Sequence, residues 1–304
     1  MERAKRHGGV RAAPRGEVSD APLKNANKLI ALLESKMGGR GYETQKAPSM
    51  FFTGVDIGTA NLVTVVLDES GMPLDGEITP AKVVKEGMVV DYVRAIKMLE
   101  NQLDKLQNRL NAPIRLSASA VPPGTELGNG RVTRNILEAA GLEVCAIADE
   151  PSAASLALGI KNGAVVDVGG GTTGISIVKN GKVLFTADEP TGGFNFDLVI
   201  AGGLGISVSE AEKMKRDPAQ QQKLYPVVKP VMEKIASIAR GALEGFHVEA
   251  VYLVGGACEF PGFAKLMEYE LKIRTFLPNL PLLVTPLGIA MICRKTFIGQ
   301  NKPR

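Results

Sequence analysis

The chain reads as an α/β protein of two lobes, each headed by the same β-hairpin unit. Three observations predict this. The stretch Ala164–Phe185, AVVDVGGGTTGISIVKNGKVLF, opens on a β-branched apolar run with one carboxylate, Asp167, near its end. It breaks into Gly169-Gly170-Gly171-Thr172-Thr173-Gly174, resumes as a strand at Ile175–Val178, and turns at Asn180-Gly181, a strong hairpin signal, into a third strand at Lys182–Phe185. The same order of strand, Asp, glycine, small polar turn and strand recurs at Phe52–Leu67, with a turn at Glu69-Ser70-Gly71. Asp56 and Asp167 lie 111 positions apart, and Gly71 and Gly181 lie 110 apart, so one duplicated unit heads each half. Elsewhere helices alternate with strands, which implies mixed sheets with helices packed on them.

Composition narrows the classes of function. At 304 residues, 45% hydrophobic and 22% charged, the chain has the make-up of a globular protein large enough for two lobes. Cys145, Cys258 and Cys293 are widely spaced with no C-x-x-C, which argues for a reducing compartment and against zinc or a disulfide framework. With only His7 and His247 present, histidine-based catalysis is nearly excluded. The net charge of +4 belongs to the tail: residues 1–50 hold ten Lys/Arg against five Asp/Glu, leaving 26 against 27 in the remainder. The body therefore carries no nucleic-acid footprint. No signal peptide is evident, and Pro278, Pro281 and Pro286 interrupt the apolar C-terminal run, so the expectation is a cytoplasmic protein that does not span a membrane.

Taken in order, residues 1–22 are basic and without periodicity, as in disordered tails. Ala26, Leu29, Ile30, Leu33 and Met37 fall at helical spacing, and Gly38-Gly39 stops the run, predicting a short amphipathic helix and then a linker to about Met50. Such a helix is too short to stand alone and docks either on its own body or on a partner. After the first hairpin unit come a small hairpin at Val83–Asp91 and a helix over Tyr92–Leu110, with Ile96, Leu99, Leu103 and Leu106 on one face. A strand at Ile114–Ala120 runs into Val121-Pro122-Pro123-Gly124, a helix spans Arg131–Ala140, and a strand at Val144–Ala148 leads into Asp149-Glu150-Pro151-Ser152 and a helix to Leu158. In the second half, helices are predicted near Asn195–Ala201, Glu210–Arg216 and Pro226–Glu244. A strand at Ala250–Val254 ends in Gly255-Gly256, and a last helix begins at Thr285-Pro286-Leu287-Gly288 and runs to about Thr296.

Gly169, Gly171 and Gly174 spell G-x-G-x-x-G, but a strand follows them, so no helix N-terminus faces a pyrophosphate and a dinucleotide fold is rejected. There is no G-x-x-x-x-G-K-[ST] either. Instead five segments, in order, resemble the actin, Hsp70 and sugar kinase superfamily: Val55–Asn61, Asp149–Ala154, Val166–Thr173, Leu253–Phe263 and Thr285–Met291. Val121–Gly124 and Ala211–Lys215 bring it near the bacterial MreB, FtsA and PilM branch. Ser117–Ala120, Gly141–Val144, Val166–Val183 and Thr285–Ala290 resemble the ethanolamine utilization protein J family. The resemblance covers residues 51–297. It implies a minimal bilobal actin-like ATPase, a pair of duplicated ribonuclease H-like domains without large insertions. The first lobe would comprise 51–162 and 286–304, the second 163–285, and 1–50 would be the tail.

A nucleoside triphosphate held between two lobes needs backbone N–H groups on both sides of its phosphates, and glycine hairpins supply such nests. Gly58, Thr59, Ala60 and Asn61 form one, Gly169, Gly170, Gly171 and Thr172 the other. Asp56 and Asp167, one per lobe, are candidates to hold Mg²⁺ through its waters, since that ion dehydrates reluctantly; the bland alternative for each is a strand-end turn cap. By resemblance, Glu150 orients the attacking water, with capping of its own helix as the alternative. Thr172 contacts the γ-phosphate region, Gly192, Gly193, Gly255 and Gly256 flank ribose and adenine, and Glu212 with Lys215 lines adenosine unless the two are only a solvated ion pair.

Ala60 stands where the chaperone branch has a second hydroxyl, and no catalytic lysine follows the first hairpin. The expected activity is therefore slow Mg²⁺-dependent ATP hydrolysis, coupled to a chaperone-like or assembly role in an ethanolamine-utilizing microcompartment. The expected partner is a shell or cargo protein, with the N-terminal helix as candidate docking peptide. A small-molecule kinase of the same superfamily and a self-associating nucleotide-dependent filament or scaffold remain alternatives.

Overall fold

The structure is a computed structural model that describes residues 21–40, 50–85, 88–123, 125 and 127–301. The basic tail and the linker expected before Met50 lie largely outside these residues, as do Gly87 and Gly124. Two five-stranded sheets of the same plan make the body. In the first, β1 (Phe52–Ile57), β2 (Asn61–Leu67), β3 (Pro73–Pro80), β6 (Leu116–Val121) and β7 (Glu143–Asp149) take the order β3-β2-β1-β6-β7. In the second, β8 (Gly163–Val168), β9 (Thr173–Lys179), β10 (Lys182–Glu189), β11 (Ala250–Val254) and β12 (Arg274–Phe276) take the order β10-β9-β8-β11-β12. Each sheet is an antiparallel meander of three strands joined to two parallel ones. A two-residue pair, β4 (Val84–Lys85) and β5 (Met88–Val89), forms a small hairpin on the first lobe.

Helices cover both faces, as parallel strand pairs require. On the first lobe, α2 (Tyr92–Leu110) lays Leu99, Leu103 and Leu106 against Val55, Leu62 and Val66, while α3 (Asn129–Ala139) adds Ile136 and Leu137. On the second, α5 (Gly193–Leu204), α6 (Val208–Arg216), α7 (Pro218–Leu243) and α8 (Phe263–Leu271) bury Phe196, Ile200, Met232, Ile235 and Phe263 over β8, β9 and β11. A third core runs under both sheets. Its centre is the crossing of α4 (Glu150–Leu158) and α9 (Val284–Gln300), where Ala153, Ala154 and Ala157 meet Leu287, Ile289 and Ala290. Gly288 makes that crossing close, since a Cβ there would fall on the Ala153 carbonyl group. Pro281–Gln300 is, among the described residues, the one helical stretch long and apolar enough to cross a membrane, but half of it is buried within the body.

The structure decides one open alternative and departs from the sequence reading at three places. The helix at Ala21–Lys36, α1, does not offer its apolar face outward: Ala26, Ile30 and Leu33 are fully buried against β3, α4 and α9. Asn27 Oδ1 also accepts from the backbone N–H of Asn279 at 2.8 Å, and the Gly38 N–H donates to Asp75 at 3.1 Å. That face is occupied by the protein's own body, which removes the reason for reading the helix as a docking peptide. Strand β3 was missed because PLDGEITP has no apolar alternation. It is an edge strand, where terminal prolines are tolerated, and its buried Asp75 is balanced by Arg109 Nε at 2.6 Å. Helix α7 begins eight residues before Pro226, capped by Asp217, and keeps both Pro226 and Pro230 inside it. Proline inside a helix costs a hydrogen bond, so Pro226 read as a start. The three-residue edge strand β12 was too short to register.

Candidate functional site

The two duplicated hairpins face one another across a cleft between the lobes. Asp56 is the penultimate residue of β1, and the turn after the strand is closed by the Gly58 N–H donating to the Asn61 carbonyl at 2.9 Å. In the second lobe the Gly169 N–H closes the matching turn on the Thr172 carbonyl at 3.0 Å. The register matches as well: Asp56 pairs with Val63, and Asp167 with Gly174. The tips nearly touch. A Cβ on Gly170 would lie 2.9 Å from that of Ala60, and one on Gly171 would lie 3.2 Å from the Thr59 methyl. Small residues on both tips are what allow the loops to close on a shared ligand.

Carboxylates converge at the floor. Asp56, Glu150 and Asp167 all line the cleft. Asp149 takes over the capping of α4, accepting from the Ser152 N–H at 2.8 Å, which leaves the Glu150 side chain free to face inward. Burial first, and the Asp167 charge second, push the Asp56 carboxyl up to about 7. Burial raises Asp167 to about 6, with Asp188 adding to the rise and a hydrogen bond from the Thr285 hydroxyl at 3.2 Å opposing it. Glu150 is driven well above the carboxylate range by burial and then by Asp167, Asp56, Asp188 and Asp149. Like charges crowded in this way call for a cation. Among the described residues no group of three His, Cys, Asp or Glu side chains is close enough to ligate one ion directly. The donor set therefore suits an ion held partly by water and by the ligand's own oxygens, which is the habit of Mg²⁺.

Most of the residues singled out from the sequence meet here. Gly58, Thr59, Ala60, Asn61, Gly169, Gly170, Gly171, Thr172, Gly193, Lys215, Gly255 and Gly256 all line the cleft. Gly255 has φ of 87° and lies against the Asp167 carboxylate, so a side chain there would be both strained and obstructed. Two residues do not line it. Gly192 sits behind the second glycine loop, where a Cβ would come 2.7 Å from the Gly169 carbonyl oxygen. It lets α5 approach, so that the Gly193 and Phe194 N–H groups donate to the Gly169 and Gly170 carbonyls at 2.9 and 2.7 Å. Glu212 turns away to Arg216 at 2.8 Å and to Lys82 of the other lobe at 3.7 Å. Arg216 lines the cleft in its place, and Lys215 is tied to the Gly193 carbonyl at 2.9 Å and to Asp197 at 2.7 Å. Sequence reasoning missed Arg216, Glu259 and Thr285 on the wall. Arg216 stands four residues from Glu212, so an i,i+4 count would have offered it beside Lys215.

The family models that match are those of cell division protein FtsA, over residues 164–288, and of MreB/Mbl protein, over residues 71–216. The chain is 41% identical to ethanolamine utilization protein EutJ of Escherichia coli (strain K12) over 252 residues, which is 83% of this chain and 89% of that one. The crystal structure of ethanolamine utilization protein EutJ from Carboxydothermus hydrogenoformans superposes with a TM-score of 0.83 at 39% identity, covering 88% of this chain and 99% of the other. MreB5 of Spiroplasma citri bound to AMPPNP shares the fold alone, with a TM-score of 0.67 at 18% identity over 83% of this chain and 98% of its own. Paired sheets, matched hairpins and these likenesses agree: the chain is an actin-like ATPase fold of two lobes and belongs to the family of ethanolamine utilization protein EutJ.

Proposed function

We propose that this protein binds ATP with Mg²⁺ between its lobes, hydrolyses it slowly, and uses lobe closure to change a surface that a partner reads. The observation that carries this reading is the single cleft in which both glycine hairpins meet Asp56, Asp167 and Glu150. Backbone N–H groups of Gly58–Asn61 and of 169–172 would cradle the phosphates. Asp56 and Asp167 would hold the ion through its waters, and the ion would neutralise charge building on the transferred phosphoryl group. Glu150 would hold the attacking water in line. Gly193, Lys215, Arg216, Gly255 and Gly256 would receive the nucleoside. A related fold carries AMPPNP in the MreB5 structure, which supports a nucleotide in this cleft.

The kinship with EutJ supports a role in ethanolamine utilization, and the biological reading we favour is a chaperone-like or assembly function in the cytoplasm at the corresponding microcompartment, with a shell or cargo protein as partner. Turnover of ATP in Asp167→Ala and Glu150→Ala proteins tests the chemistry. Loss of binding in the first and of turnover with binding kept in the second is expected; wild-type rates in both would refute the assignment. ADP release that depends on a small acceptor would favour the kinase alternative, and nucleotide-dependent pelleting would favour the filament.

A further inference from the structure

The cleft has different electrostatics at its floor and on its α6 wall. Three carboxylates, Asp56, Asp167 and Glu150, meet at the floor. On α6 each cation comes with a carboxylate of its own. Arg216 is paired with Glu212 at 2.8 Å. Lys215 is paired with Asp197 of α5 at 2.7 Å, and its ammonium also donates to the Gly193 carbonyl at 2.9 Å. Lys215 lines the cleft, whereas Asp197 does not and is only 4% exposed. The two charges need each other. An ammonium beside the first residue of a helix is opposed by the helix dipole, and a carboxylate buried this deeply is costly unless it is paired.

That pairing decides what the wall can recognise. An unpaired lysine is a point charge that suits phosphate. One whose charge is cancelled at 2.7 Å still has N–H groups to donate but offers no net charge, so it suits a neutral oxygen such as a sugar hydroxyl. We propose that Asp197 is a positioning residue that sets specificity: it fixes Lys215 on the wall and cancels its charge. This part of the cleft then accepts a nucleoside with free hydroxyls and refuses one whose sugar carries a phosphate. Asp197 acts only through Lys215. The inference rests on the nucleotide-binding reading above and adds to it the cause of selectivity at one subsite.

The experiment measures, by calorimetry with Mg²⁺ present, the affinity of the full chain for ADP, 2′,3′-dideoxy-ADP and adenosine 3′-phosphate 5′-diphosphate. The proteins are wild type, Asp197→Asn, Lys215→Met and the double variant, with thermal unfolding in parallel. Glu249→Gln removes the same charge from an exposed site away from the cleft and is the control. A hydrogen bond to a charged group is worth roughly 10–100-fold in binding, so wild type should prefer ADP to both analogues by about 10-fold or more. Asp197→Asn should narrow the preference against the 3′-phosphate by about 10-fold, because the freed ammonium attracts the added charge. The double variant should lose that gain, and Glu249→Gln should behave as wild type. Lys215→Met should bring ADP down to the affinity of dideoxy-ADP and leave dideoxy-ADP unchanged, whereas a merely structural ion pair would weaken both alike. That variant decides the matter where Asp197→Asn does not fold. Equal wild-type affinity for ADP and its 3′-phosphate would overturn the inference alone. So would an unmoved preference in folded Asp197→Asn, a gain that persists in the double variant or is matched by Glu249→Gln, or equal weakening of ADP and dideoxy-ADP in Lys215→Met. Wild-type protein that binds none of the three would overturn the nucleotide-binding reading and this inference with it.

Discussion

Replacing Gly288 by Ala should cost the protein several degrees of thermal stability and weaken nucleotide binding, although Gly288 does not line the cleft. Gly288 sits where α9 crosses α4, and a methyl there falls on the Ala153 carbonyl oxygen and carbon, with the Ala153 Cα at 3.1 Å. These are backbone atoms, so no side chain can swing aside. Restoring an ordinary contact moves the two helices apart by roughly 1 Å, and a gap of that size forfeits a quarter to a half of each van der Waals contact along the seam. The seam is made of Ala153, Ala154, Ala157, Leu287, Ile289 and Ala290 and lies beneath both lobes. Overpacking of this kind costs about 1–3 kcal/mol, occasionally more. At about 3 kcal/mol, and 2–4 °C per kcal/mol for a chain of this size, Tm should fall by roughly 6–12 °C. Glu150 heads α4, and Thr285 heads α9 while bonding Asp167, so the shift should also reach the cleft. Gly202→Ala is the control. That glycine is also helical, but nothing lies within 4 Å of its would-be Cβ, so the change should stabilise by up to about 1 kcal/mol. Equal Tm values for the two variants by scanning calorimetry would refute the reasoning.

Further outcomes follow from the cleft. Gly255→Ala combines a φ of 87° with a Cβ thrust onto the Asp167 carboxylate, and should abolish Mg²⁺-dependent nucleotide binding measured by calorimetry; affinity within twofold of wild type would refute it. The carboxylates give a pH signature in nucleotide-free, Mg²⁺-free protein. Because the folded protein holds the Asp56 proton up to about 7, against an ordinary 3.8, the folded state binds that proton more tightly than the unfolded chain. Stability from this group is present below about pH 4 and is lost as pH rises to 7. The difference is worth at most about 4 kcal/mol at 1.36 kcal/mol per pH unit, and about half that once water in the open cleft screens the charge. Asp56→Asn should therefore raise Tm over wild type by an amount that grows from pH 4.5 to 7.5; a constant or shrinking difference would refute it.

How much of this could be read from the sequence depends on the range of the interaction. The hairpins were legible because their signals are local: a buried run, one Asp, a glycine turn and a second strand, repeated 111 residues later. Their convergence on one cleft required only that duplicated units face each other, and Asp56, Asp167 and Glu150 do meet there. Glu212 misled because helical spacing fixes a face but not which way a long side chain leans. Glu212 pairs instead with Arg216 and with Lys82, 130 residues earlier and on the other lobe, away from the cleft wall. Thr285 was illegible for the same reason: it reaches the site from a distant element, by one hydrogen bond that no local pattern encodes. In α1 the periodicity was legible, but the identity of the surface it covers was not. The partner surface was its own β3, a strand with too little apolar content to announce itself.

The most direct test is a crystal structure of the full chain with AMPPNP and Mg²⁺. Density for the triphosphate between Gly58–Asn61 and 169–172, with the ion and its waters between Asp56 and Asp167, is the expected result. Nucleotide bound outside this cleft, or a cleft left without density at saturating AMPPNP and Mg²⁺, would contradict it.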